Sequence, residues 1–416
     1  MSYIFLFLRL TSTCYFTVFN MKNRFAILHF IFLFLFFSCS GSSEEETVTE
    51  ENYLREFRFE VVDSVMVDAL EVLVALDYDQ ESDRFLLKKQ REGKVYVVDS
   101  KGEILQTADL GGEGPNQVGV FTDGQFLGSN GYVFKDFSPT MDFHQYDFDF
   151  QKVKVHTGAA VGINALVINF YRQTFDALTI NGEPYLLGEE INAYDAGEIN
   201  GNKIGAAFYE RATTGFLLNL NQDSIQRINL FTEDWKPRRE KIWVGNSLPS
   251  IASDSKTKSA FVLPTKGNQL SFFKVSPSGL EFQNSIELIH PSREDAEINA
   301  DQDDLTYPGF DNVRNLGEYQ LVSFNTAIPE DVLNGIKAKA GENYYSDPEF
   351  TEAMDLYRNP KYILIKNGKQ VGVINEDPQE GTINLGLPDG TVLVKAADGE
   401  IERDYNLFYK MKVVEK

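Results

Sequence analysis

Five segments of the chain share one grammar: an alternating apolar run, a short polar turn, and a second alternating run. They are KVYVVDSKGEILQTADL (94–110), FHQYDFDFQKVKVHT (143–157), GFLLNLNQDSIQRINL (215–230), LSFFKVSPSGLEFQNSIEL (270–288) and YILIKNGKQVGVI (362–374). Period-two alternation around Gly, Asn, Asp, Ser or Pro marks an antiparallel hairpin. Shorter strand-like runs precede most of them, as in LEVLVALDYDQESDRFLLKK (70–89), KSAFVLP (258–264) and EYQLVSF (318–324), which makes four strands per unit. Four-stranded antiparallel units repeated along a chain this long predict an all-β fold, a β-propeller. The spacing of the turns is loose, and a sixth unit starts at GTINLGLPDGTVLVKAADGE (381–400) and reaches only a third strand, YNLFYKMKVV (405–414). The segment EFRFEVVDSVMV (56–67) has no unit of its own and supplies the missing strand, which closes the ring and removes a free sheet edge. Six blades are expected, with seven the alternative. Residues 53–416 are read as this single domain.

The stretch from Ile328 to Pro360 does not alternate. Ser346 or Asp347 can cap a helix with Pro348 in its first turn, and Phe350, Met354 and Tyr357 share one face before Pro360. A helical insertion at about 328–360, within the fifth blade, is expected.

Residues 1–38 contain Arg9, Lys22 and Arg24 and no acid. Met21 followed by Lys22 and Arg24, then FAILHFIFLFLFF (25–37), has the basic and apolar regions of a signal peptide, with Met21 the expected start. The apolar run is shorter than the roughly 20 residues a spanning helix needs. The following FFSCSGSSEEE resembles a bacterial lipoprotein signal, in which Ser38 precedes Cys39 and Cys39 carries the lipid. The alternative is an ordinary signal peptide with an incidental cysteine. Only Cys14 and Cys39 occur, so a mature chain beginning at Cys39 has no cysteine to pair with it. Residues 39–52, rich in Ser and Glu, are too polar to fold and read as a tether. A cysteine followed by serines and an acidic run is also similar to the surface-export signal of Bacteroidota lipoproteins. That resemblance implies the surface of the outer membrane as the location, with its periplasmic face the alternative.

The whole chain holds 39 Lys and Arg against 62 Asp and Glu. Loss of residues 1–38 removes three cations and no anion, for a net charge of about −26 at neutral pH. Such a surface repels nucleic acid and offers no general attraction to anionic lipid. The expected partners are the membrane, through the lipid, and a protein or glycan. The domain is expected to be a monomer.

The glycine-rich ADLGGEGPNQVG (108–119) raises the question of phosphate binding. No Lys or Arg lies between Gly102 and Lys135, and neither the P-loop lysine nor a helix start follows. It reads as a joint between the first and second blades. Here the sequence resembles six-bladed propellers of the NHL-repeat type, among them uncharacterised Bacteroidota lipoproteins, whose outer strand ends in G-x-G-P-G-E-F. Gly112, Gly114 and Pro115 match; Asn116, Gln117 and Val118 depart from it.

No HExxH, GxSxG or cysteine nucleophile occurs after residue 38, and His144, His156 and His290 are the only histidines there. No catalytic residue and no cofactor is assigned. Asp77, Asp79, Glu81 and Asp83 have the opening rhythm of a calcium loop, but Ser82 stands where the glycine belongs and Lys88 where the last glutamate belongs; a hairpin turn is the reading. DQDDLTYPGFD (301–311) is a second acidic cluster of the same kind. Some six-bladed propellers are lactonases or esterases with a divalent metal in the central channel, and such a hydrolase is the alternative to a binding platform. The candidate ligand-binding residues are in DWKPRREKIW: Trp235, Lys236, Arg238, Arg239 and Trp243, with Lys241 beside them. Indoles stack on sugars and guanidinium groups grip carboxylates. The alternative is packing, with Trp243 between blades and Trp235 at the outer edge.

Overall fold

The computed structural model describes residues 55–160, 172–190, 199, 201–245, 247–293, 304–378, 381–397 and 403–416. The described residues all fall within one compact unit, Glu50–Lys416.

The strands are β1 (Phe57–Val67); β2 (Leu73–Asp79), β3 (Arg84–Lys89), β4 (Lys94–Asp99) and β5 (Ile104–Asp109); β6 (Phe121–Phe126), β7 (Tyr132–Asp136), β8 (Phe143–Tyr146) and β9 (Lys152–His156); β10 (Phe175–Ile180), β11 (Glu183–Glu189), β12 (Gly215–Asn219) and β13 (Ser224–Ile228); β14 (Ser250–Asp254), β15 (Ser259–Leu263), β16 (Gln269–Ser276) and β17 (Gly279–Glu287); β18 (Phe310–Leu316), β19 (Tyr319–Asn325), β20 (Pro360–Lys366) and β21 (Lys369–Ile374); and β22 (Gly381–Gly386), β23 (Thr391–Ala396) and β24 (Asn406–Glu415). They pair into six antiparallel four-stranded sheets, so the protein is a six-bladed propeller. Five blades run in simple order. The sixth is β22-β23-β24-β1, with Phe57 opposite Glu415 and Val67 opposite Asn406. The expected closure is present, and the seven-bladed alternative is not.

Each blade is sandwiched between two others, which explains the sequence pattern. Apolar side chains of neighbouring blades meet in six clusters, one per interface. Leu76, Val95 and Val97 pack on Phe121, Tyr132 and Phe134 between blades one and two, and Val65, Val67 and Leu73 pack with Leu385 and Phe408 where blade six meets blade one. Middle strands therefore bury both faces, as in β3, β4 and β12, and read as unbroken apolar runs. Outermost strands such as β9 alternate.

The glycine-rich segment is the joint between β5 and β6. The N–H groups of Val118 and Gly119 both donate to Leu110 O, at 2.8 and 3.1 Å, with φ of +80° at Gly112 and +85° at Gly119. Asn116, one of the departures from the NHL-type pattern, ties the joint to blade two: its amide donates to Gln151 Oε1 at 2.8 Å and its carbonyl accepts from the Tyr146 hydroxyl at 2.8 Å. Between β19 and β20 lie helices at Glu330–Ala340 and Pro348–Tyr357; the Asp347 carboxylate accepts the Glu349 N–H at 2.9 Å, as a helix cap does. They enclose a small core of their own with Ile328, Leu333 and Phe350.

Because strands alternate in direction, the turns joining first to second and third to fourth strands lie on one face of the ring, here the turn face. The longer connections lie on the other.

The blade-one turn after β4 packs on the closing strand. A Cβ on Gly102 would sit 1.9 Å from the Met66 carbonyl oxygen, and its φ is +88°. Gly102→Ala is expected to cost at least about 1–3 kcal/mol from the backbone alone, read as a lower denaturant midpoint. An unchanged midpoint would mean that this turn does not bear on the closure.

Candidate functional site

The first strands of the blades, β2, β6, β10, β14, β18 and β22, line the central channel, and each carries polar residues within an apolar run. Most of these side chains reach the backbone of a neighbouring blade. Asp77 accepts the Phe126 N–H at 2.8 Å. Asp123 accepts the Thr174 N–H at 2.6 Å and the Thr174 hydroxyl at 3.2 Å. Asp176 takes the N–H and hydroxyl of Ser253, at 2.6 and 2.7 Å. Asn315 donates to Ser253 O at 3.1 Å, Arg314 to Ile383 O at 3.2 Å, and Asn384 accepts the Ala75 N–H at 3.3 Å. These contacts link blades one to two, two to three, three to four, four to five, five to six and six to one. Deeper in, the Arg172 guanidinium grips both oxygens of buried Glu189, and Lys135 stands 3.7 Å from buried Glu190.

On the turn face the channel opens as a cavity of about 1210 Å³ that all six first strands line, with Asp77, Gln125, Asp176, Asn312, Arg314 and Asn384 on its wall. Gln125 Nε2 and Asn315 Oδ1 are buried without a hydrogen-bond partner. Among the described residues, no three His, Cys, Asp or Glu side chains are placed to hold a metal ion.

The residues singled out in DWKPRREKIW lie on the connection face between β13 and β14. Trp235 is 1% exposed. One face of its ring stacks on Phe231 at 5.0 Å, Tyr209 meets it edge-on at 4.8 Å, and Nε1 donates to Lys266 O at 3.1 Å. Its indole therefore offers no open face for stacking on a sugar. Trp243 is half-buried against Tyr209, with centroids 5.3 Å apart. Trp235 is not at an outer edge, as packing had it, but is the more buried of the two, its N–H bonded to a carbonyl, and Trp243 is partly covered in the same cluster. Arg238 donates to Phe231 O and Arg239 to Asp234 O. Lys236, Arg239 and Lys241 are exposed.

Asp79 makes a hairpin turn rather than a calcium loop, accepting the N–H groups of Glu81 and Ser82 at 3.3 and 3.2 Å. Asp301 to Asp303 of the second acidic cluster lie outside the described residues, as does Cys39. His144 pairs with Asp136 at 3.0 Å, and His156 with Asp223 at 2.7 Å, which joins blades two and three. Burial, with Lys361 and Arg293 nearby, holds His290 down at about 4.

No protein-family model matches the chain, and no curated protein matches it in sequence. Its fold is shared with solved structures. A member of the DUF4221 family from Bacteroides vulgatus has a TM-score of 0.56 at 9% identity, over 87% of this chain and 99% of that one. A Bacteroides fragilis protein described as exported has a TM-score of 0.48 at 11% identity, over 87% and 96%. A gluconolactonase from Xanthomonas campestris has 0.40 at 10% identity, over 87% and 92%. At these identities the likeness is one of fold.

The channel carboxylates titrate unusually high. Burial, against the N–H groups of Phe126 and Tyr78, pushes Asp77 up to about 7; burial likewise takes Asp123 and Asp176 to about 6, and Glu189 to about 7 in spite of Arg172 and Lys135. An ordinary Asp titrates near about 4. Between those values the folded state holds a proton that the unfolded chain has released. The stability from Asp77 is thus full below about pH 4 and is lost as pH rises through about 7. Asp77→Asn keeps an acceptor for the Phe126 N–H and cannot ionise. The variant is expected to lose less stability than the parent between pH 5 and pH 8, as measured by denaturant unfolding at both. Equal losses would place Asp77 in a well-solvated site.

Proposed function

We propose that this protein is a lipid-anchored propeller of the outer-membrane surface that binds a small polar ligand in the turn-face mouth of its channel. The observation that supports this reading is the cavity itself, walled by all six blades, with two buried polar atoms, Gln125 Nε2 and Asn315 Oδ1, left without protein partners. An unanswered buried polar group costs about 1–3 kcal/mol, and a ligand that answers it recovers that cost. Concave sites with a few convergent polar groups are where small molecules bind. The exposed cations Lys236, Arg239 and Lys241 on the connection face offer charge to an acidic protein or glycan partner. Trp235 serves there as the packing beneath them.

Gln125→Leu tests the channel directly. Removing an amide that the folded protein leaves unanswered is expected to change stability by no more than about 1 kcal/mol, while weakening binding. Thermal-shift screening of the purified protein against small polar metabolites should find compounds that raise its Tm and raise that of Gln125→Leu less. A screen without hits, or hits that act equally on both, overturns the reading.

The anchor has its own test. Cys39→Ala is expected to move the protein from the membrane to the soluble fraction. A variant still bound to membrane after a carbonate wash would place the anchor elsewhere.

A further inference from the structure

We infer that the channel mouth takes a hydroxylated monocarboxylate, an acidic sugar, with its carboxylate on Arg314. This rests on the channel-binding reading above and specifies the ligand class.

Arg314 stands on β18, and its side chain lines the cavity. Its hydrogen bond to Ile383 O engages Nη2, and it forms no ion pair among the described residues. The charged and titratable groups that act on it are Asp311, Tyr362 and Arg172. None of them pairs with it: Asp311 attracts it without forming an ion pair and is itself exposed to solvent, the Tyr362 hydroxyl donates its hydrogen bond to Asp377, and Arg172 grips Glu189. Among the described residues no other acceptor meets the guanidinium of Arg314, which lines the cavity. A guanidinium removed from bulk water without a carboxylate in contact is costly, and a carboxylate matches its planar fork with two parallel hydrogen bonds.

The rest of the wall decides between anions. Asp77 and Asp176 line the same cavity. A doubly charged phosphate would meet their repulsion twice over, whereas a single carboxylate held at the Arg314 side meets it once. The two aspartates can also accept sugar hydroxyls. Carboxamides supply the complementary groups. Gln125 Nε2 has no partner, the amide of Asn384 is left over after its oxygen takes the Ala75 N–H, and Asn315 Oδ1 is an unused acceptor. Sugar hydroxyls both donate and accept, so a wall that carries free donors and a free acceptor suits them. The cavity of about 1210 Å³ exceeds the usual small-molecule pocket of about 300–1,000 Å³ and leaves room for more than one sugar ring.

The test is titration calorimetry of the purified protein with three probes: galacturonate, galactose and acetate. Galacturonate is expected to bind at least about tenfold more tightly than either of the others, which each carry half of its chemistry. Arg314→Gln retains an N–H for Ile383 O and loses the charge; it should weaken galacturonate at least about tenfold, a change of about 1.4 kcal/mol, and leave galactose unaffected. Should Arg314→Gln melt too low to assay, the parent protein decides: raised ionic strength should weaken galacturonate and spare galactose. Galacturonate that binds no better than galactose, that binds Arg314→Gln as well as the parent, or that ignores salt overturns the inference. If galactose alone binds, and Gln125→Leu abolishes it, the channel reading stands and the anionic ligand class falls.

Discussion

Six sheets that converge on one axis leave six strand edges facing the channel, and the free N–H and C=O groups along those edges must be answered. Water reaches them only from the channel mouths. The protein answers several with side chains from the next blade: Asp77 for Phe126, Asp123 for Thr174, Asp176 for Ser253 and Asn384 for Ala75, with Asn315 and Arg314 donating to carbonyls. Each contact satisfies a backbone group and fixes the rotation of one blade against its neighbour. The apolar clusters between blades supply most of the burial, and the hydrogen bonds add direction to an attraction that has none of its own.

The same arrangement gives the channel its electrostatics. Carboxylates chosen to cap backbone groups are carried into a place where ionisation is expensive, which is why burial leads the causes of their upward shifts. They come from blades one, two and three, while Arg314 comes from blade five, across the ring. Structural stitching and a polarised cavity are two results of one placement.

Much of the fold was legible in the sequence because the fourth strand of a blade has a solvent side. The hairpins between third and fourth strands alternate, and all five that the sequence displayed correspond to such pairs: β4-β5, β8-β9, β12-β13, β16-β17 and β20-β21. The sharing of the sixth blade between the two ends was legible too, since EFRFEVVDSVMV and YNLFYKMKVV each lacked a partner. The channel was not. A lone Asp in FTDGQF or FDALTI has no period and looks like any turn residue; only its repetition in the first strand of successive blades marks it, and the first strands are the least regular in pattern. The surroundings of Trp235 were not legible for a different reason: Phe231 lies one turn away in the chain, but Phe208 and Tyr209, which complete the cluster around it, come from a segment far back in the sequence.

The pairing of β1 with β24 sets an order of events. Residue 57 leaves the ribosome 358 residues before residue 415, its partner, so the strand waits through the synthesis of five blades with nothing to pair with. Contacts so distant in the chain form late, and an unpaired strand is an invitation to aggregation meanwhile. The composition of β1 fits that wait. Arg58, Glu60 and Asp63 interrupt its apolar residues and stay exposed in the finished ring. Their charges are of most use before the protein is complete, as guards on an edge that only the end of translation can cover.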